Sequence, residues 1–280
     1  MTLPAHVGVL GGGRMGAGIA HAFLVTGSRV TIVESTPEAA NLAHDRVAAS
    51  LATARERGVL TDDYDDPMRR LSVASDPAAL ATVGLVIEAV PEDTRLKVEV
   101  LNKAAAHAPD ALLATNTSSL SIGTIAAGLP DPTRLVGLHF FNPVPSSDLV
   151  EIVVGPHTDA TVVTSAQHWV AGLGKTAITV TDSPGFASSR LGVAIALEAI
   201  RMVEDGVASP ADIDTAMTLG YRHPTGPLRT TDIVGLDIRL AIAEHLANEL
   251  GPRFEPPALL RDMVAAGKLG RKTGQGFYPW

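Results

Sequence analysis

Short runs of aliphatic and β-branched residues recur along the first two thirds of the chain, separated by longer stretches with helical spacing of apolar positions. This alternation predicts an α/β fold built on a doubly wound parallel sheet. Eight runs read as strands: residues 7–10, 30–33, 71–73, 85–88, 112–114, 135–138, 151–154 and 177–180. Between the second and third lies a longer excursion, where Pro37 opens a helix at its first position and an Ala- and Arg-rich run closes at Gly58. Residues 61–66 are polar and acidic and read as a turn before a short Met68-Arg69-Arg70 segment. The pattern changes at Thr181-Asp182-Ser183-Pro184-Gly185. Beyond it only helical patterns remain, over residues 186–205, 209–219, 228–250 and 256–266. Ser209-Pro210-Ala211-Asp212 has the form of a helix start, with a serine N-cap, proline at N1 and aspartate in the capping-box position. Two domains are expected: residues 1–183, a Rossmann-type α/β domain, and residues 184–280, smaller and all helical. The apolar residues Leu191, Ile195, Leu197 and Ile200 either form the core of that small bundle or exceed what it covers and pair two copies.

The first predicted strand runs into Gly11-Gly12-Gly13-Arg14-Met15-Gly16, a Gly-x-Gly-x-x-Gly pattern at the start of a helix. Gly11 permits the tight turn, Gly13 lets the backbone approach a pyrophosphate, and Gly16 lets the helix pack closely on its strand. The phosphates would sit at the helix N-terminus, where unpaired N–H groups and the dipole favour an anion. Three glycines alone can mark a mere tight loop. Here the helix stops at Gly27, a second strand follows, and it ends in Glu34, roughly 20 residues past the glycines, as the dinucleotide fingerprint requires. A carboxylate there accepts hydrogen bonds from ribose hydroxyls and repels a 2′-phosphate, which favours NAD over NADP. The bland alternative is a solvated glutamate at a strand end. Arg14 and Arg46 are the cations placed to come near.

At 280 residues the chain is long enough for two modest cores. Its net charge of −8 argues against nucleic acid as a partner while leaving room for a local basic patch. There is no cysteine, which removes disulfides, thiolate nucleophiles and cysteine metal sites, and the nine histidines show no His-Glu-x-x-His spacing, so no metal is expected. Met1-Thr2-Leu3-Pro4 does not open a charged or apolar leader, and no run of about 18 apolar residues occurs. A cytoplasmic protein without a membrane partner is expected.

Two polar clusters fall at predicted strand ends. His139, in Leu138-His139-Phe140-Phe141-Asn142-Pro143, stands at the carboxyl edge of the sheet, where ligands bind in this architecture. A histidine there can take a proton from a hydroxyl near neutral pH if a partner holds its other nitrogen, and Glu151, in the next strand, is the candidate. A structural hydrogen-bonding histidine is the alternative, and it is the reading for His6, His21, His44 and His107. Thr115-Asn116-Thr117-Ser118-Ser119 either caps a helix or offers hydroxyls and an amide to a nicotinamide ribose or a reacting oxygen.

Six stretches then stand in a known order: residues 11–20 around the glycines, Val86-Ile87-Glu88-Ala89-Val90-Pro91-Glu92-Asp93, Asn116-Thr117-Ser118-Ser119-Leu120, His139-Phe140-Phe141-Asn142-Pro143-Val144-Pro145, Asp182-Ser183-Pro184-Gly185-Phe186 and Lys272-Thr273-Gly274-Gln275-Gly276-Phe277-Tyr278. Over essentially its whole length the chain resembles the short-chain L-3-hydroxyacyl-CoA dehydrogenases, especially the bacterial 3-hydroxybutyryl-CoA dehydrogenases. The resemblance implies an NAD-dependent oxidoreductase acting at C3 of a short-chain (S)-3-hydroxyacyl-CoA. It implies His139 as general base, Glu151 as its orienting carboxylate, and Ser118 as a hydroxyl touching both the reacting oxygen and the cofactor. It also implies cofactor contacts from Gly11, Gly13, Arg14, Met15, Gly16, Glu34, Ala89, Val90, Glu92, Lys97, Asn116, Asn142 and Lys272. Ser50 and Arg57 fall where the family contacts CoA, and their i, i+7 spacing puts them on one helix face. Arg46, Arg55 and Arg57 either add a positive surface for CoA or form a solvated face. A homodimer through the helical domain is implied as well.

Two departures from the family pattern bear on substrate. Ser189 in Pro184-Gly185-Phe186-Ala187-Ser188-Ser189-Arg190 replaces an asparagine that holds the acyl carbonyl or reacting oxygen, and it is shorter. Ser146-Ser147-Asp148 replaces a more apolar segment, and a carboxylate near the pocket would disfavour an anion. They leave open a carrier-protein-bound, polar or free hydroxy acid as substrate, or a homologue that binds dinucleotide without turnover.

Overall fold

A computed structural model describes residues 3–60 and 65–280, which divide into two compact units, Met1–Asp182 and Ser183–Trp280. In the first, a single eight-stranded sheet collects β1 (His6–Leu10), β2 (Arg29–Val33), β3 (Leu71–Ala74), β4 (Leu85–Glu88), β5 (Leu112–Thr115), β6 (Leu135–Phe140), β7 (Leu149–Val154) and β8 (Thr176–Thr181) in the order β3-β2-β1-β4-β5-β6-β7-β8. The helices are α1 (Arg14–Val25), α2 (Pro37–Glu56), α3 (Asp65–Arg69), α4 (Thr94–His107), α5 (Ile122–Ala126) and α6 (Ala160–Gly172). The acidic turn expected at residues 61–66 lies outside the described residues up to 64, and Asp65 already opens α3.

Every predicted strand is present, but the sheet is not parallel throughout. β6 pairs antiparallel with β7, and β8 runs parallel to β7. The cause is connection length. Only residues 141–148 join β6 to β7, fewer than the dozen or so that a parallel crossover needs. Strand order reverses beside β1, which pairs with β2 on one side and β4 on the other. The crevice beyond the carboxyl ends of β1 and β4 is therefore the place where this architecture receives a ligand. Val7, Val9, Ile32 and Ile87 of the central strands and Ile19 and Leu24 of α1 are wholly buried, which anchors that edge.

The second unit consists of α7 (Ser188–Glu204), α8 (Pro210–Thr215), α9 (Pro227–Val234), α10 (Leu236–Leu250) and α11 (Ala258–Ala265). Ser209 caps α8 by accepting from the Asp212 N–H. The single helix expected over residues 228–250 is two, because Gly235 sits at φ +108° and breaks it. Leu197 and Ile200 join Leu228, Leu246 and Leu260 in the core, whereas Leu191 and Ile195 are 63% and 39% exposed. The C-terminal Gly-Phe-Tyr stretch is pinned by the buried Asp232 carboxylate, which accepts from the Phe277 and Tyr278 N–H groups and from Trp280 Nε1, each at 2.9 Å.

Candidate active site

Gly11 adopts φ +87°, which only glycine takes without strain, and its N–H donates to the Val33 carbonyl, folding the turn back over β2. A Cβ on Gly16 would collide with the Gly11 carbonyl, so the helix can lie this close only with glycine there. Around Gly13 a Cβ would meet nothing within 4 Å, and no side chain caps the first turn of α1. The loop thus leaves space and donors for a pyrophosphate, and the residues fit a dinucleotide. Arg14 and Met15 begin α1 beside that space. Glu34 closes β2 and accepts from the Gly12 N–H at 2.6 Å, while Arg46 Nη1 donates to the Gly12 carbonyl at 3.2 Å. Of the two arginines placed near this loop by sequence, Arg46 is the one bonded to it.

The carboxyl end of β4 carries a polar network. Glu88, wholly buried, accepts from Lys97 Nζ at 2.8 Å, Thr115 Oγ1 at 2.6 Å and the Val90 N–H at 2.7 Å. Lys97 is 1% exposed and also reaches Glu92 Oε2 and the Val90 carbonyl, both at 3.2 Å. Expected as a cofactor contact, Lys97 instead has all three ammonium hydrogens engaged by protein oxygens, so it acts beneath the surface of the crevice. Glu92 Oε1 accepts from Thr117 Oγ1 at 2.6 Å and from the N–H groups of Ser118 and Ser119 at 2.9 and 3.1 Å. Burial pushes the Glu92 carboxyl up, but the Lys97 charge and these donors outweigh it and hold the group below its ordinary value. Ala89 and Val90 lie between these anchors, and the Ala89 N–H donates to the Leu10 carbonyl at 2.8 Å.

His139 and Glu151 face each other across the antiparallel β6–β7 ladder. His139 is 7% exposed, Glu151 is wholly buried, and His139 Nδ1 lies 2.7 Å from Glu151 Oε2. The Phe141 ring packs against the imidazole with centroids 4.5 Å apart. Asn116 Oδ1 accepts from the Phe140 N–H at 2.9 Å, tying the turn after β5 to the end of β6. Asn142 is exposed and precedes a cis bond to Pro143. The sheet edge therefore carries the His139–Glu151 pair, the Ser118 hydroxyl and the glycine loop, while the Thr117 hydroxyl is buried and spent on Glu92. Such a set suits proton removal from an alcohol beside a redox cofactor.

Ser50 and Arg57 line a cavity of about 490 Å³ together with His21, Val25, Lys175, Pro143 and Ser146. Sequence reading treated His21 as structural and passed over Lys175. His21 Nδ1 lies 2.8 Å from Ser50 Oγ, and Lys175 Nζ donates to the carbonyls of Val144 and Ser147 at 2.8 and 2.5 Å. Burial lowers the Lys175 ammonium, and Asp148 partly restores it. The new carboxylate at Asp148 is thus offset by a neighbouring cation. Burial, and next the Lys175 charge, push His21 down to about 4 from an ordinary 6.5. The unfolded chain takes up the proton near 6.5 and the folded chain only near 4, so stability is complete above about pH 6.5 and falls as pH drops toward about 4. His21→Gln should flatten urea-unfolding free energies across that window, by on the order of 3 kcal/mol between its ends.

In the helical unit, Ser189 is half-buried in the first turn of α7. Lys272 Nζ lies 2.6 and 2.5 Å from the two Asp237 oxygens. Burial raises the Asp237 carboxyl, and Lys272 together with the Ile238 and Asp237 N–H groups more than offsets this.

A doubly wound sheet with a glycine loop at its switch point and a histidine–carboxylate dyad on the same edge defines an NAD-dependent oxidoreductase. Residues 6–183 match the family described as 3-hydroxyacyl-CoA dehydrogenase, NAD binding domain, and residues 185–280 match 3-hydroxyacyl-CoA dehydrogenase, C-terminal domain. The chain belongs to the 3-hydroxyacyl-CoA dehydrogenase family. It is 41% identical over 281 residues to a 3-hydroxybutyryl-CoA dehydrogenase of Mycobacterium tuberculosis, covering 98% of each chain. With the human mitochondrial hydroxyacyl-coenzyme A dehydrogenase it shares 36% identity over 285 residues, 98% of this chain and 91% of the other. The crystal structure of (S)-3-hydroxybutyryl-CoA dehydrogenase from Ralstonia eutropha superposes with a TM-score of 0.94 at 39% identity, covering 99% of both chains.

Proposed function

We propose that this NAD-dependent dehydrogenase interconverts (S)-3-hydroxybutyryl-CoA, or a similarly short 3-hydroxyacyl-CoA, and the 3-oxoacyl-CoA. The observation that carries the proposal is the His139–Glu151 pair, held at 2.7 Å on the ligand-binding edge of the sheet. Glu151 accepts a hydrogen bond from Nδ1–H, which keeps that proton on Nδ1 and leaves Nε2 as the basic nitrogen. His139 then takes the C3 hydroxyl proton in oxidation and returns it in reduction. NAD, when bound, accepts the hydride that leaves C3. Ser118, Asn142 and Ser189 serve the reacting and acyl oxygens as donors, stabilising alkoxide character. Glu34 serves the adenosine ribose by releasing the Gly12 N–H. Ser50 and Arg57, with Lys175 opposite, favour the anionic CoA arm in the adjoining cavity. The exposed apolar residues Leu191 and Ile195 on α7 and Ile238 on α10 support a homodimer formed through the helical unit.

Mixing the protein with NADH and acetoacetyl-CoA should give rapid loss of NADH absorbance, with little turnover when NADPH replaces NADH or free acetoacetate replaces the ester. A preference for NADPH, or turnover of the free acid alone, would overturn the reading.

A further inference from the structure

The turn after β5 has no hydrogen-bond ladder of its own, and a single carboxylate takes the place of one. Residues 116–120 belong to no strand or helix, so their N–H groups must find acceptors elsewhere. Those of Ser118 and Ser119 donate to Glu92 Oε1, at 2.9 and 3.1 Å, and among the described residues no backbone carbonyl accepts from them. Three hydroxyls aim at the same oxygen: Thr117 Oγ1 at 2.6 Å, Ser119 Oγ at 3.2 Å and Ser118 Oγ at 3.3 Å. One carboxylate oxygen cannot serve five donors equally, since it offers about two lone-pair directions. The short contacts fix the backbone and the buried Thr117, and the longest is that of the Ser118 hydroxyl. Ser118 is therefore held firmly by its N–H and loosely by its hydroxyl, which an incoming oxygen can take over at little cost.

Lys97 secures this anchor from behind. Its ammonium reaches Glu92 Oε2 at 3.2 Å and Glu88 Oε1 at 2.8 Å, and Glu88 accepts from Thr115 Oγ1 at the root of the turn. One buried cation thus ties together the two carboxylates on which the turn rests. Because Glu92 is ionised, its bonds to the turn are charge-assisted and stronger than a neutral amide would make.

We infer that Glu92 is a positioning residue for the reaction: it sets where Ser118 presents its hydroxyl and acts through that serine alone. The inference rests on the reading above, in which Ser118 serves the reacting oxygen, and it replaces the expectation, drawn from resemblance, that Glu92 is a cofactor contact. Two consequences separate these roles. A group that acts only through Ser118 has nothing left to do once the Ser118 hydroxyl is gone, whereas a direct cofactor contact is lost equally in either background. A fault in positioning at the reacting oxygen falls on kcat, whereas a lost cofactor contact falls on NADH affinity.

The test is a double-variant cycle on the full chain with NADH and acetoacetyl-CoA, read as kcat, as KM for the ester and as NADH affinity by fluorescence. Ser118→Ala should lower kcat by about 10²-fold, as removal of one donor to a developing oxyanion does. Glu92→Gln should lower kcat by roughly 10–10²-fold, the cost of a misplaced group, with NADH affinity within about threefold of wild type. In the Ser118→Ala background the same Glu92→Gln change should cost less than about twofold more. Glu92→Asp keeps the charge beside Lys97 and draws the carboxylate back by one methylene, so it serves where the amide fails to fold. It should lower kcat in the same manner and to a smaller extent, again only while Ser118 is present. Additive losses in the double variants overturn the inference, as do wild-type kcat in both Glu92 variants or a loss confined to NADH affinity, which would return Glu92 to direct cofactor binding. A kcat unmoved by Ser118→Ala would overturn the reading of Ser118 itself, a failure that the single variant reports without reference to Glu92.

Discussion

His139→Gln should lower kcat by about 10²–10⁴, the range that a positioned general base contributes. Glutamine keeps a donor for the wholly buried Glu151 carboxylate but cannot accept and hold the substrate proton. NADH affinity, read by fluorescence, should change little, because on the proposed reading the imidazole acts on the alcohol while the glycine loop holds the dinucleotide. Glu151→Gln should also be impaired, since an amide can present its oxygen or its NH₂ to Nδ1 and no longer imposes one tautomer. A His139→Gln protein with wild-type turnover would dismiss the dyad as the proton acceptor and move the search to the Thr117–Ser119 turn.

Lys97→Met should be the most destabilising single change at the site, by about 3–5 kcal/mol, because it leaves the Glu88 carboxylate buried without its counter-charge. That loss is a large fraction of an ordinary folding free energy. Urea denaturation followed by circular dichroism would measure it. The Glu88→Gln, Lys97→Met double variant should recover much of the loss, since a neutral amide can still accept from the Val90 N–H or Thr115 Oγ1 without leaving a charge unpaired. If the single variant were as stable as wild type, the pair would not be a structural tie between β4 and α4.

Much of this was legible in the sequence where a single period or a single conformational demand governs the residues. Alternation of apolar runs located the eight strands, and the glycine spacing located the dinucleotide loop, because no other residue tolerates Gly11's φ or Gly16's proximity to the turn. Helical periodicity ran unbroken through Gly235, since a break at positive φ changes direction without changing the apolar pattern. The reversal at β7 was hidden for a related reason: a buried strand has the same composition in either direction. The burial of Lys97 was not legible, because nothing in the sequence around a lysine announces it, whereas His21, read as a structural hydrogen-bonding histidine, is bonded to Ser50. Only the fold brings Glu88 and Glu92 around one ammonium, and Ser50 against one imidazole.

The antiparallel turn of β7 has a consequence for how such an enzyme changes its substrate over time. His139 and Glu151 are paired rungs of one ladder, so their separation is set by backbone hydrogen bonding between two adjacent strands and not by any loop. Ser189, the residue proposed to meet the acyl group, sits on a helix of the other unit. On the proposed reading, selectivity can therefore drift by substitution in the helices while the His139–Glu151 pair is inherited unchanged.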